Sequence, residues 1–302
     1  MNDKTKAWIK ASRLRTLPLA LSCIGMGGFL AAVYNHFSWA ILFLSLLTTI
    51  FLQVLSNLAN DYGDSVSGVD GNDREGPGRA VQAGLITLGE MKRAIIVMAG
   101  LSFVCGVSLV VLAFQDNWQL VLTFLILGLL SIYAAITYTA GKSPYGYAGL
   151  GDISVFIFFG LIGVMGSFYL HTGYLVNDIA LPAASCGLLA TGVLNVNNIR
   201  DIISDSKAGK RSIPVRLGRK RAVYYHWSLL ILAIITAIIY VIFNYSHPAQ
   251  FSFLLVIPLL IKNALAVYQK EKAMELDPYL KQMAITTMFF VLIFGISHIL
   301  VA

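Results

Sequence analysis

Uncharged apolar stretches of about 17–25 residues recur along almost the whole chain, the length at which a helix crosses a hydrocarbon core. Nine can be counted, at roughly 17–34, 39–59, 94–114, 118–139, 153–171, 179–198, 223–243, 250–269 and 283–301. Short polar turns such as YNHFS, QDN, GKSPYGYAG, HTGY and NYSHP separate most of them. Two intervals are longer and polar, at 60–92 and 200–222. The pattern predicts an all-α integral membrane protein, a single polytopic domain over residues 1–302 with about nine transmembrane helices. The first 16 residues, with KAWIKASRLR mixing Trp8 and Ile9 among cations, predict an interfacial segment.

Composition agrees. The chain has 302 residues, 57% hydrophobic and only 12% charged, whereas soluble domains carry about 25% charged residues. One soluble core cannot absorb so many long apolar runs. The basic start followed by an apolar run resembles a signal peptide. Because many similar runs follow, it is read as an uncleaved first span. Cys23, Cys105 and Cys186 stand singly in apolar runs, with no metal or disulfide spacing.

Charge adds sidedness. Of 22 Lys and Arg, five precede the first span, four lie between spans two and three, one follows span four and eight lie between spans six and seven. Lys262, Lys270, Lys272 and Lys281 lie in or after span eight, and the loops after spans one, three, five and seven have none. The positive-inside rule places the N-terminus and the even-numbered loops in the cytoplasm and the C-terminus on the opposite side. The net charge of +7 then calls for membrane lipids as partner and for no nucleic acid.

The acidic residues are concentrated. Segment 57–76, NLANDYGDSVSGVDGNDREG, holds a third of the 15 Asp and Glu: Asp61, Asp64, Asp70, Asp73 and Glu75. Span six ends in a related way, NVNNIRDIISDSKAG, with Asp201 and Asp205. Four spans separate the two clusters, so the layout suggests two four-helix halves of one orientation, a parallel repeat. Like charges three or four residues apart repel on a helix, which makes sense if a cation sits between them. Asn57, Asn60, Asn197 and Asn198 add hard oxygen donors, and this donor set suits Mg2+ together with substrate phosphate. Arg74, Arg79, Arg200, Lys207, Lys210 and Arg211 are candidates to hold phosphate oxygens. Asp73 and Glu75 read as solvated. A third element, YTAGKSPYGYAGLGD, carries Tyr138 and Lys142 four residues apart, then a Gly/Pro turn, then Asp152 at a helix start.

These three elements together resemble the UbiA-type intramembrane aromatic prenyltransferases. The resemblance covers essentially the whole chain and is nearest to the branch that prenylates 1,4-dihydroxy-2-naphthoate in menaquinone synthesis. The first family motif stands here as Asn57, Asn60, Asp61 and Asp64 followed by Gly68 and Asp70. The commoner NDxxDxxxD pattern would have Asp at position 68, and the displaced form is that of the naphthoate branch. Asp61 and Asp70 both stand as the metal-facing residue at that point. DxxxDxxxGxxS is complete as Asp201, Asp205, Gly209 and Ser212, and YxxxK as Tyr138 and Lys142.

The resemblance implies Mg2+-dependent transfer from a polyprenyl diphosphate to 1,4-dihydroxy-2-naphthoate, with loss of CO2 and diphosphate, at the cytoplasmic face of a bacterial inner membrane. It implies catalytic roles for Asp64, Asp201, Lys142 and Tyr138. Metal binding would fall to Asn60, Asp61, Asp64, Asp70, Asp201 and Asp205. The diphosphate would be held by Lys142, Arg79, Arg200, Lys207, Lys210 and Arg211, and substrate by Asn57, Asn197, Asn198 and Ser212. A 4-hydroxybenzoate acceptor is the alternative within the family. A transporter is the alternative outside it, though no Asp, Glu or Arg lies mid-span as ion pathways usually require.

Overall fold

A computed structural model describes residues 2–66, 81, 83–141 and 144–302. Asp70, Arg74, Arg79 and Lys142 lie outside these described residues. Among the described residues the chain is helical and contains no strand. A short helix α1 (Asp3–Ala11) precedes the spans α2 (Leu17–Val33), α3 (Trp39–Val66), α4 (Leu88–Phe114) and α5 (Trp118–Thr137). The fifth span is α6 (Gly151–Val155), a π-helical stretch at Phe156–Gly166 and α7 (Ser167–Thr172). The sixth is α8 (Ala180–Arg200), followed by the short helices α9 (Ile202–Lys207) and α10 (Ile213–Leu217). Then come α11 (Arg219–Phe243), α12 (Ile257–Gln269), entered through a 3-10 stretch at Pro248–Val256, and α13 (Ala273–Ile299). Among the described residues nine helices are long and apolar enough to cross a membrane, the number expected from the apolar runs.

Three expected boundaries move outward. The third span starts at Leu88 rather than near 94, because Thr87 and Glu90 form a capping box: Glu90 N–H donates to Thr87 Oγ1 at 3.2 Å and Thr87 N–H to Glu90 Oε2 at 3.0 Å. The second span runs on to Val66, so Asp61 and Asp64 sit on a helix and not in a loop. The ninth starts at Ala273 instead of near 283, with Pro278 inside it. Apolar runs mark only the hydrocarbon-spanning part. Beyond it a helix can continue with charged side chains in water, which also satisfies the carbonyl a proline releases.

α8 and α13 are the most enclosed spans and α5 the least, at 67%, 56% and 6% buried over their apolar windows. α8 owes its place to small residues. A Cβ on Gly187 would meet Phe156 O at 2.9 Å, and one on Gly160 would meet Ala183 O at 2.7 Å. Spans five and six thus approach backbone to backbone, as small residues permit in lipid. Cys23 and Cys186 are buried in the same core cluster, packing residues as expected. α1 is no free interfacial helix: Ala7 and Ala11 are buried in a cluster with Leu55 and Leu58 of α3 and Met91 and Ile95 of α4.

Contacts between helix ends show which ends lie together. Arg15 before α2 reaches Asp277 near the start of α13 at 2.9 Å, and Arg200 at the end of α8 reaches the same residue at 2.6 Å. Arg211 N–H donates to Tyr147 O at 2.9 Å, and the Tyr147 hydroxyl donates to Asp64 at the end of α3. The start of spans one and nine and the end of spans two and six therefore share one face, the parity that the charge pattern requires.

Candidate active site

A cavity of about 810 Å³ opens at that face and runs down between the spans. Its polar end carries Asn57, Asn60 and Asp64 from α3 and Tyr138 from the end of α5. From the other side come Asn197, Asn198, Asp201, Asp205 and Lys210. Both Asp-bearing segments thus face one space, although 140 positions separate Asp61 from Asp201.

Each side chain is placed by its local structure. Gly63 lets α3 pass close to the end of α5: a Cβ there would meet Thr139 O at 2.5 Å. Thr139 Oγ1 donates to Asn60 Oδ1 at 2.8 Å. One turn on, Asp64 accepts from the Tyr147 hydroxyl. Asn57 Nδ2 donates to Ser12 O at 3.0 Å and to Thr16 Oγ1 at 3.2 Å, which ties the N-terminal segment to α3. Asp201 closes α8 and begins α9, so Asp205 follows one turn later with its N–H on Asp201 O at 2.8 Å.

The second Asp segment is knit into an ionic network. Arg200 donates from Nε and Nη2 to the two oxygens of Asp201 at 2.8 and 2.7 Å. The same guanidinium reaches Asn197 Oδ1 at 2.8 Å and Asp277 Oδ1 at 2.6 Å. Arg200 is thus committed to protein oxygens, with only 6% of its surface exposed. It braces Asp201 and lies behind the cavity wall. Lys210 Nζ lies 3.0 Å from Asp205 Oδ2. Burial pushes the Asp205 carboxyl above its ordinary range; Lys210 opposes this, and the charges of Asp201 and Asp64 add to it. Burial also raises the Tyr138 hydroxyl, with Asp152, Tyr145, Asp205 and Asp64 adding. The three carboxylates on the wall therefore feel one another.

These residues fit a hard divalent cation. The donors are carboxylate and amide oxygens, and Asn198 Oδ1 is buried with no hydrogen-bond partner. Among the described residues no three acidic, His or Cys side chains converge enough to chelate an ion alone. Mg2+ does not require that, because it keeps waters and shares its shell with substrate phosphate.

The remaining expected residues fall elsewhere. Asp61 is buried but off the cavity wall, and Ser212 is buried behind it. Lys207 and Arg211 are exposed on the surface next to the site. The structure also adds residues that the sequence reading passed over. Arg13, Arg15, Gln53, Tyr145 and Lys281 line the cavity mouth. Tyr147 and Asp277 hold residues that line it. The clue to Arg13 and Arg15 was their position directly before the first span, where they were counted only as topology charges.

Residues 20–294 match the model of the UbiA prenyltransferase family. The chain belongs to that family. It is 46% identical over 294 residues to 1,4-dihydroxy-2-naphthoate octaprenyltransferase of Escherichia coli K12, covering 96% of this chain and 95% of the relative. It is 44% identical over 299 residues to the protein of the same name from Haemophilus influenzae, covering 98% and 97%. Among solved structures, a UbiA homolog from Aeropyrum pernix superimposes with a TM-score of 0.69 at 17% identity, covering 93% of this chain and 96% of that one. A UbiA homolog from Archaeoglobus fulgidus bound to GPP and Mg2+ does so at 0.59 and 19% identity, covering 94% and 99%. These structures share the UbiA fold, nine-helix architecture included.

Proposed function

We propose that this UbiA prenyltransferase transfers a polyprenyl group from polyprenyl diphosphate to 1,4-dihydroxy-2-naphthoate, at the cytoplasmic face of a bacterial inner membrane. The observation that carries the reading is the single cavity, with both Asp segments at its polar end and an apolar wall for the rest. The two relatives named for this reaction, similar over nearly the full chain, supply the acceptor.

Asp64, Asp201 and Asp205 would hold Mg2+, with Asn60, Asn197 and Asn198 as further oxygen donors. Bound there, the cation supplies charge neutralisation for the diphosphate as it departs. Arg200 keeps Asp201 in place, and Lys210 stands ready to share its charge between Asp205 and a phosphate oxygen. The allylic C–O bond breaks and its electron pair leaves with diphosphate. The ring carbon bearing the carboxylate forms the new C–C bond. The carboxyl C–C bond then breaks, its electrons return to the ring and CO2 departs. The product is the quinol, the two-electron-reduced form of demethylmenaquinone. The apolar walls keep water from capturing the allylic cation.

The test is transfer by the purified protein, with Mg2+ and either 1,4-dihydroxy-2-naphthoate or 4-hydroxybenzoate. Release of labelled CO2 from the naphthoate carboxyl is the expected result. Prenylation of 4-hydroxybenzoate alone would overturn the acceptor assignment, and no transfer to either would overturn the whole reading.

A further inference from the structure

The apolar part of the cavity ends in an aromatic cluster. Phe114 of α4, Phe124 of α5 and Tyr169 of α7 have ring centroids 4.8 Å (Phe114–Phe124), 5.8 Å (Phe114–Tyr169) and 5.5 Å (Phe124–Tyr169) apart. Phe124 and Tyr169 face the cavity, and Phe114 backs them. The cluster bridges the third and fourth spans to the fifth. Above it, Gly128 and Ser131 of α5 and Phe158 and Ile162 of the fifth span line opposite sides of the cavity. α5 packs on α3 and α4, and only 6% of its apolar window is buried.

The cluster's depth can be read along α5. Phe124 lies 14 positions before Tyr138 at the polar end, about 21 Å at 1.5 Å per residue. An extended chain advances about 1.2 Å per bond. About 17 bonds fit in that length, or about four isoprene units of four main-chain bonds each. Eight units would need about 38 Å extended, more than the ~30 Å hydrocarbon core. A long donor therefore cannot lie straight inside the protein.

We propose that the Phe114–Phe124–Tyr169 cluster is the floor of the donor-chain tunnel, so that about four isoprene units are enclosed and the remainder turns out into lipid along α5. The floor sets how much of the donor the protein grips. It leaves the total length of a long donor unmeasured. This rests on the donor being a polyprenyl diphosphate, as proposed above.

Gly128 offers a direct test. It lines the cavity, and a Cβ built on it meets nothing within 4 Å, so a large side chain enters the tunnel without displacing backbone. It lies 10 positions from Tyr138, about 15 Å down, where the third isoprene unit would end. The measurement is kcat/KM for Gly128→Phe relative to the unaltered protein, with donors of two, four, five and eight units. Taking the ratio at each length cancels differences in membrane partitioning. The expected ratio is near one for the two-unit donor and falls at least about tenfold for four units and beyond, the scale of an overpacking clash. Gly100→Phe is the control: Gly100 also has open space but is off the cavity wall, and its ratios should be flat.

Phe124→Leu should lower or leave the two-unit rate and shift the ratio in favour of donors longer than four units. Equal loss at all lengths in Gly128→Phe, or no loss, would overturn the inference. So would a Phe124→Leu profile identical in shape to that of the unaltered protein. If the unaltered protein transfers no prenyl group at any length, the functional reading falls. If it transfers but Gly128→Phe shows no length dependence, only the floor falls.

Discussion

The two ends of the cavity are closed in opposite ways. The polar end is held by charge: Arg200, Asp201, Asp277 and Arg15 form one linked chain, and Lys210 sits against Asp205. The far end is held by three stacked or tilted aromatic rings with no charge among them. A charged network fixes positions to fractions of an ångström, because the hydrogen bonds are directional and an unpaired buried charge is costly. An aromatic cluster fills space and tolerates adjustment. The head of a prenyl donor needs the first treatment and its tail the second. The difference teaches that chemistry is selected at one end and shape at the other, so damage at the two ends should look different.

The largest effect belongs to the wall carboxylates. Asp64→Asn or Asp201→Asn should lower kcat by about a thousandfold, the scale of losing a group that stabilises transition-state charge. The protein should still insert and elute as a folded species; near-normal turnover in either variant would remove that residue from the site. Chelation with EDTA should abolish transfer, and Mg2+ should restore it. Activity that persists in chelator would break the polar-end account at its base.

The supports come next. Asp277 binds two arginines and is 27% exposed on its side chain, so the cost of a broken buried pair must be discounted for solvent. Asp277→Ala should destabilise the protein by about 2 kcal/mol and reduce kcat about tenfold to a hundredfold, the range for residues that position a metal ligand. A thermal melt read beside the kinetics separates the two effects. If kcat is unchanged, Arg200 does not need Asp277 to orient Asp201. The smallest effect should come from Tyr147→Phe, which removes a hydroxyl that donates to Asp64. A threefold to tenfold change, about 1 kcal/mol, is expected, and it should appear in the Mg2+ concentration needed for half-maximal rate.

The fold was largely readable from the chain because lipid imposes a simple rule. A span must be long and apolar, and the nine runs and their charge parity follow. Helix ends were less readable, because lipid no longer dictates sequence there. Asp61 and Asp64 looked like loop residues since they follow the last apolar run, but α3 continues through them to Val66. The Thr87–Glu90 capping box was legible in principle and overlooked.

At the site, Asp64, Asp201, Asp205 and Lys210 could be named from motif spacing, and all four line the cavity. Tyr147 and Asp277 could not. Their partners are 83 and 77 positions away, and no local pattern marks a tyrosine in a turn or an aspartate before a span. Arg200 shows the reverse limit. Its place beside Asp201 suggested a phosphate ligand, and only the three-dimensional arrangement reveals the oxygens that already claim it.

The link between Arg15 and Asp277 has a consequence for biosynthesis. The two residues are 262 positions apart, so one is made at the start of translation and the other near its end. The first span must wait in the membrane, its cation without that carboxylate, until the ninth arrives. Completion of the charged network is therefore a late event in assembly. A chain that stops before residue 277 could insert most of its spans yet would lack the last brace of its polar end. The same contact that steadies Asp201 in the finished protein also distinguishes a finished protein from an unfinished one.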